Sequence, residues 1–213
     1  MPVSRQDARL NHNQRNRTRT AIVDAATALL REGSPPTVAE AAERALVSRA
    51  TAYRYFPTQE SLLVEIAQVG PLMKPVDDLV ASFPADHDAE QRLAALIDTV
   101  IRTMLSDEVV IRTGIRVYMD TWLANHRDGK DVAVRTGRRM RYIDEALRPL
   151  GERLSEPGRK RLRSALALTT GSEAITQLKD AARIDDDEEI IATLEWATSA
   201  LLRTALHDFG KSQ

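Results

Sequence analysis

The sequence predicts an all-α protein, and two of its features lead to that prediction. Apolar residues recur at helical spacing through most of the chain, whereas no segment alternates apolar and polar residues over a strand's length. Glycine, proline and hydroxyl residues separate the apolar stripes where helices are expected to begin and end. The 213 residues are enough for one or two domains with a buried core.

The first predicted helix covers residues 15–32. Gly33 ends it, because glycine readily adopts the left-handed conformation that follows a helix, and Pro35 and Pro36 come soon after. One apolar face indicates a helix packed against a core. That face consists of Ile22, Ala25, Ala26, Leu29 and Leu30.

Two short helices with a tight joint follow, and they indicate a helix-turn-helix. Thr37 and Glu40 have the spacing of a capping box at the start of the first helix, which is predicted over residues 38–45. Ser48 is a favourable N-cap for the second helix, over residues 49–55. The joint between the two helices has only three or four residues.

A further helix, over residues 58–70, is interpreted as the link between an N-terminal head and a C-terminal body. We therefore expect an N-terminal arm and helix-turn-helix domain over 1–57, and a helical body over 58–213 that is the candidate domain for dimerisation and ligand binding. The pattern in the body is helical throughout. Its predicted helices cover 76–83, 88–106, 109–126, 131–150, 158–183 and 187–209.

The last two predicted helices are the longest, at about 39 and 35 Å. Their apolar surface exceeds what one core requires, and this favours a homodimer through a four-helix bundle. Burial of both helices inside a single chain is the alternative. The predicted interface residues are Leu162, Leu166, Thr169, Ile190, Leu194, Ala197, Leu201 and Ala205.

The net charge of −1 conceals a basic head on an acidic body. Residues 1–56 carry nine arginines against five carboxylates, a net +4, which leaves −5 for the rest of the chain. A basic head suggests that it binds a polyanion such as nucleic acid. A solvated tail is the alternative.

The absence of cysteine rules out a disulfide scaffold, a thiol nucleophile and a Cys-ligated metal, and it fits a reducing compartment. No apolar stretch approaches the length of a membrane span, and the polar N-terminus lacks the apolar region of a secretory signal. We therefore expect a cytoplasmic protein that does not bind a membrane.

Motifs for catalysis and for metal or cofactor binding are missing from the sequence. The four histidines have no metal-ligand spacing, and the acidic run 185–189 is interpreted as a helix N-terminal cap. No phosphate loop or nucleophile elbow is present, so neither an enzyme nor a cofactor is expected. The open alternatives are a small helical lyase or hydrolase, with an acidic site near Asp120 or Glu173, and an architectural DNA-binding protein.

Residues 37–66 resemble the DNA-binding segment of the tetracycline-repressor (TetR) family of bacterial transcriptional regulators. With the preceding helix the resemblance covers residues 15–66, about a quarter of the chain. It implies an all-helical homodimer with a three-helix DNA-binding head and a C-terminal body that binds a small-molecule effector. A repressor of a double-stranded DNA operator is the expected function. The matching residues are Thr37, Ala42, Val47, Ser48, Thr51, the block Tyr53 to Phe56, Glu60 and Leu62.

The chemistry of residues 49–55 agrees with a recognition helix. Such a helix needs donors and small groups in its first turn, and Arg49 can form two hydrogen bonds with guanine. Tyrosine hydroxyls can reach phosphates, and phosphates also bind at helix N-termini. The predicted DNA-binding residues are Thr37, Ser48, Arg49, Ala50, Thr51, Tyr53 and Tyr55, with Arg17 and Arg19 from the arm.

Two positions depart from the family pattern. Leu46 stands where the family usually has glycine, and a left-handed conformation there would cost about 1–2 kcal/mol. A turn that is tighter than the family's, or differently shaped, is therefore the expectation. Gln59 stands where lysine is common, which removes a charge that could contact phosphate. Arg15, Arg17 and Arg19 could compensate from a flexible arm, although solubility explains them equally well.

The predicted effector site rests on aromatic and methionine residues, which are few in this chain. Tyr118 and Trp122 share one helix face with Met119 beside them, and Met104 and Tyr142 lie on the neighbouring predicted helices. Each of these residues is also a reasonable core residue. Several arginines suggest an anionic effector, with a solvated surface as the alternative: Arg112, Arg116, Arg135, Arg138, Arg139 and Arg141.

Overall fold

A computed structural model describes residues 5–68, 70–130 and 137–210, and it confirms the all-α prediction. Within those ranges the regular secondary structure is helical, apart from an isolated antiparallel bridge between Leu154 and Gly210.

The chain divides into two compact units. The head unit comprises residues 1–69 and 113–132, and the body unit comprises residues 70–112 and 133–213. A functional boundary between residues 57 and 58 stays a prediction.

The helix-turn-helix of the head unit lies where the sequence predicts it. Its helices are α1 (Arg5–Arg31), α2 (Val38–Arg44), α3 (Arg49–Tyr55) and α4 (Gln59–Gln68). Three small residues are fully buried where α2 meets its neighbours, so the helices can approach closely. The core of the head unit includes Ile22, Ala26, Val38, Ala41, Ala42, Ala52, Phe56 and Leu62.

The body unit is arranged around α6. Helix α6 packs against α5, α8 and α11, and α9 packs against α8 and α11. The body helices are α5 (Gly70–Ala81), α6 (Ala89–Leu105), α8 (Arg138–Leu147), α9 (Glu156–Thr169), α10 (Ser172–Thr176) and α11 (Asp187–Phe209). Short 3-10 and π-helical turns follow α8 and α10 at Arg148–Leu150 and Gln177–Ala181.

Helix α7 (Glu108–Arg127) belongs partly to each unit. Glu108 to Arg112 lie in the body unit, whereas Thr113 onward belong to the head unit. In the head unit, the Tyr118 hydroxyl donates to the Ala67 carbonyl oxygen at 3.0 Å. Gly114 also lies beside Ala67 of α4, at a distance where a Cβ atom at position 114 would make ordinary van der Waals contact. The head unit therefore contains more than the predicted helix-turn-helix segment.

The single long helix predicted over residues 158–183 is wrong. Helix α9 ends at Thr169, and Gly171 is extended at φ −129° and ψ 162°. The Arg139 guanidinium occupies this break and donates to the Ala167 carbonyl oxygen at 3.1 Å and to Glu173 Oε2 at 2.8 Å. A side chain at position 171 would collide with that guanidinium. The predicted length of about 39 Å is therefore wrong as well.

Three other predicted helices have different bounds. The helix predicted over 76–83 corresponds to α5, which begins at Gly70 and ends at Ala81. The helix predicted over 131–150 begins at Arg138 in the described part of the chain, and residues 131–136 lie outside it. The first helix begins at Arg5 instead of residue 15.

Candidate nucleic-acid interface

The start of α3 is rigid because its N-cap is satisfied locally. Ser48 Oγ accepts a hydrogen bond from the Thr51 amide at 3.2 Å and donates to Thr51 Oγ1 at 2.9 Å. Arg49 and Ala50 are exposed in the turn that follows, and the Arg49 side chain is 71% exposed. A fixed helix end thus presents a guanidinium and a small side chain to solvent.

Arg49 has one carboxylate nearby. Its Nη2 lies 4.0 Å from Glu43 Oε2, and both side chains are largely exposed. Such a pair contributes little to stability. Arg49 can therefore leave Glu43 for a base or a phosphate at small cost.

The two tyrosines of α3 differ in exposure. Tyr53 is 46% exposed, which leaves its hydroxyl able to reach a phosphate. Tyr55 is half-buried, and the Arg54 guanidinium lies 5.7 Å from its ring centroid. The roles of both tyrosines in DNA binding stay predictions.

Thr37 forms the predicted capping box with Glu40. The Thr37 amide donates to Glu40 Oε2 at 2.7 Å, and Thr37 Oγ1 accepts from the Glu40 amide at 3.2 Å. The hydrogen bond from the Thr37 amide is the main reason why the pKa of Glu40 is lowered. The Thr37 hydroxyl also donates to Glu40 at 2.8 Å, so a phosphate would have to compete with this carboxylate.

The turn between α2 and α3 holds Leu46 in a left-handed conformation, with φ +54°. The Val47 amide donates to the Ala42 carbonyl oxygen at 2.9 Å, and the Leu46 amide donates to that of Glu43 at 3.1 Å. These two bonds define a Schellman motif, in which glycine is the usual residue at the position of Leu46. The turn therefore keeps the left-handed conformation in spite of its cost, and the expectation of a tighter or differently shaped turn is wrong.

Arg15, Arg17 and Arg19 lie on α1, so a flexible arm at these positions is wrong. Arg17 is exposed. Arg19 bonds to Glu65 Oε2 of α4 at 2.5 Å, and its guanidinium lies 5.8 Å from the Phe56 ring centroid. A DNA contact by Arg19 would have to break this link between α1 and α4.

Gln59 has a structural role that the sequence analysis missed. Its Nε2 donates to the carbonyl oxygens of Pro35 and Pro36 at 3.0 and 3.1 Å, which ties the start of α4 to the loop before α2. The two consecutive prolines keep this loop out of a helix, so their carbonyl groups need hydrogen-bond donors from elsewhere. This was the feature of the sequence from which a partner such as Gln59 could have been expected.

The five predicted effector residues divide between the two units. In the head unit, Tyr118 is half-buried, whereas Met119 and Trp122 are exposed, Trp122 by 55%. Trp122 stacks on His126 with 5.1 Å between ring centroids. In the body unit, Met104 is half-buried and Tyr142 is buried.

Tyr142 is held inside the body unit by Asp77 of α5. Its hydroxyl donates to Asp77 Oδ1 at 2.7 Å, and Arg141 donates to the same oxygen at 2.7 Å. Burial, followed by the hydrogen bond to Asp77, raises the pKa of Tyr142 well above its ordinary value. Tyr142 is therefore a neutral donor at physiological pH.

Several of the arginines that suggested an anionic effector pair with carboxylates of the chain. Arg112 donates to both carboxylate oxygens of Asp180, at 2.6 and 2.8 Å, and this bond lowers the pKa of Asp180. Arg139 pairs with Glu173 in the helix break. Arg135 lies outside the described residues.

A half-open cavity of about 330 Å³ lies between α6 and α11 in the body unit. Leu93, Ile97 and Leu202 form much of its apolar wall, and Glu90, Glu195 and Trp196 contribute to its lining. Trp196 is 70% exposed. The residues that line this cavity do not include the five predicted effector residues.

Most of the predicted dimer residues pack within one chain. Leu162, Leu166, Ile190, Leu194 and Ala205 are buried, and Thr169, Ala197 and Leu201 are half-buried. Thr169 also accepts a hydrogen bond from Thr198 of α11 at 3.0 Å. The large apolar side chains left exposed on α9 and α11 are Leu168, at 75%, and Trp196.

Among the residues that the structure describes, His, Asp and Glu side chains do not form a group of three that could hold a metal ion. In the same ranges, no helix combines the length and the apolar character needed to cross a bilayer.

Residues 22–66 match the family described as bacterial regulatory proteins, tetR family. A crystal structure of a TetR transcriptional regulator from Rhodococcus sp. RHA1 has a similar fold, with a TM-score of 0.58 and 18% sequence identity over 88% of this chain and 96% of that chain. A SmeT–triclosan complex has a TM-score of 0.46 and 18% identity over 92% of each chain. No curated protein sequence matches the chain significantly.

The matched segment contains the whole of α2, the Leu46 turn and α3. By this match, residues 22–66 are similar to the DNA-binding segment of tetR-family regulators, and the all-helical fold is shared with the Rhodococcus regulator.

Proposed function

We propose that this chain is a homodimeric repressor that a small-molecule effector releases from a pseudopalindromic DNA operator. The observation that carries the DNA-binding part is the first turn of α3, where a satisfied N-cap holds Arg49 and Ala50 in solvent. The net +4 of residues 1–56 supports the same assignment, because a basic surface attracts the phosphate backbone.

Selection from random DNA tests this proposal. A two-fold symmetric dimer should select a pseudopalindrome whose half-site centres lie roughly 34–36 Å apart, or a multiple of that distance. Arg49→Ala should weaken binding by about 1–3 kcal/mol and relax the preference at one base per half-site, whereas Tyr53→Phe should weaken binding to all sequences alike. Binding without sequence preference or salt dependence would contradict the proposal.

For the dimer, we assign the contact to the outer faces of α9 and α11. Leu168 and Trp196 are large apolar side chains that these helices leave exposed, and a second copy would cover them. Leu168→Glu should produce a monomer in sedimentation equilibrium while far-UV circular dichroism is unchanged. Leu194→Glu is a poor test because Leu194 is buried within the chain. A wild-type monomer at micromolar concentration would refute the dimer.

For the effector, we assign the exposed face of α7 that carries Met119 and Trp122. Two single-tryptophan variants, Trp196→Phe and Trp122→Phe, distinguish this face from the cavity beside Trp196. A compound that raises the melting temperature of the wild type should quench Trp122 in the first variant and leave Trp196 unchanged in the second. Quenching of Trp196 alone would place the effector in the α6–α11 cavity instead.

Release from DNA follows if the effector binds better to a conformation that binds the operator poorly. By linkage, operator DNA must then weaken effector binding by the same factor. Each 1.4 kcal/mol of this coupling corresponds to a tenfold change in affinity. A compound that binds equally well with and without operator is not an effector.

A further inference from the structure

Leu46 combines two unfavourable features that the head unit itself does not explain. Its backbone is left-handed, which costs a non-glycine residue about 1–2 kcal/mol. Its side chain is 95% exposed, so almost none of that cost is returned by burial. Strain of this kind is concentrated at functional sites, and an observed outlier is a reason to look for a function.

The surroundings of Leu46 suggest which function it serves. Leu46 lies two residues before Ser48, the N-cap of α3, and the Arg49–Glu43 pair spans the turn that contains it. Recognition helices enter the major groove with their N-terminal residues against the bases. The residue that leads into that end of α3 is then close to the edge of the groove.

We propose that Leu46 is a DNA-contacting residue whose side chain packs against the C5-methyl group of an operator thymine, next to the base that Arg49 reads. This inference rests on the proposed function. The thymine methyl is the apolar group that bases present in the major groove, and it matches an exposed isobutyl side chain. Contact with it would give the side chain a burial that the free protein lacks.

The test uses the full-length protein and the operator obtained by selection. Each thymine of one half-site is replaced in turn by uracil, which removes a single methyl group and keeps the base pair. At one thymine, wild-type affinity should fall about fourfold, the value of one buried methyl group. Leu46→Ala should bind the unmodified operator more weakly and should not respond to that replacement, so the two changes are not additive.

Leu46→Gly is the matched variant, because it removes the same side chain and also relieves the backbone strain. It should lose as much operator affinity as Leu46→Ala, yet its melting temperature should rise above that of the wild type. A loss of affinity in Leu46→Gly alone would assign the effect to the backbone and overturn the proposal.

Further outcomes separate this inference from the proposed function. If the wild type selects an operator but both variants bind it equally well, or uracil weakens wild type and Leu46→Ala alike, Leu46 is not the contact. The same follows if the selected half-site contains no thymine. If the wild type selects no sequence at all, the proposed function fails and this inference fails with it.

Discussion

The chain is interrupted between helices at Leu46 and at Gly171, and the match between residue type and backbone conformation is opposite at the two positions. At Leu46 the turn calls for glycine, yet the chain has a larger residue that is strained and exposed. At Gly171 the backbone is extended, which any residue can adopt, yet the chain has glycine. The difference lies in what adjoins each residue: solvent in the free head unit at Leu46, and the Arg139 guanidinium at Gly171. Packing inside the chain explains Gly171, whereas Leu46 requires an explanation outside it.

The largest expected effect on stability is at Gly171, where the Arg139 guanidinium packs against the backbone. Gly171→Ala should displace the Arg139 guanidinium from Ala167 and Glu173 and lower the free energy of unfolding by about 2 kcal/mol. Urea denaturation measures this. Arg139→Ala should cost a similar amount, and the double variant should cost less than the sum because both changes remove the same bonds. If the two stability losses are strictly additive, the guanidinium of Arg139 is not the reason why position 171 requires glycine.

At Leu46, replacement of the side-chain-bearing residue by glycine should stabilise the protein instead of destabilising it. Leu46→Gly should raise the free energy of unfolding by about 1 kcal/mol, since relief of the left-handed strain exceeds the extra entropy of glycine in the unfolded chain. Leu46→Ala is the control, because alanine keeps the strain, and its stability should match that of the wild type. A destabilised Leu46→Gly would mean that the strain is not real.

The two ends of α2 provide a sharper comparison, since its start is capped and its end is strained. Thr37→Ala should lower stability by about 1 kcal/mol. It should also raise the pKa of Glu40 part of the way toward its ordinary value. The backbone amide at position 37, which is the larger cause of the lowered pKa, remains in alanine, whereas the hydrogen bond from the Thr37 hydroxyl is lost. NMR titration of the Glu40 carboxyl group measures that shift.

The sign of the pH dependence follows from the lowered pKa of Glu40. The bonds to the Glu40 carboxylate contribute their stability above the unfolded-state pKa of Glu40, and this part is lost as the pH falls through the folded-state pKa, whereas the bond from the Glu40 amide to Thr37 Oγ1 does not titrate. The stability difference between wild type and Thr37→Ala should therefore shrink in acid. A difference that persists unchanged below the folded-state pKa would contradict the role of the ionised carboxylate.

The smallest effect is expected at Glu43, which lies beside the strained turn. Glu43→Gln removes a negative charge near Arg49 and near the expected path of the DNA backbone, so operator affinity should rise roughly twofold to fivefold at low salt. The gain should shrink as salt is added. Stability should hardly change, because an exposed pair at 4.0 Å contributes little. Weaker operator binding by Glu43→Gln would show that Glu43 orients Arg49.

The helix-turn-helix could be predicted almost residue by residue from the sequence. Its signals are hydrogen bonds between residues three or four apart, as in the Thr37–Glu40 box and the Ser48–Thr51 cap. Such interactions are complete within one turn of helix, so they do not depend on the rest of the fold. The left-handed turn at Leu46 was not predicted in the same way, because the cost for a non-glycine residue favoured a turn of another shape.

Only the tertiary structure could decide the features that depend on residues far apart in the chain. Gln59 reaches the carbonyl groups of Pro35 and Pro36, and the break at Gly171 is filled by Arg139. An apolar stripe on α9 or α11 predicts that the stripe is buried, but not whether a neighbouring helix or a second copy covers it. Burial depends on which faces meet in three dimensions, and one helical period cannot specify that. The sequence alone determined the local hydrogen bonds of the head unit, whereas the tertiary structure determined which element buries each apolar face.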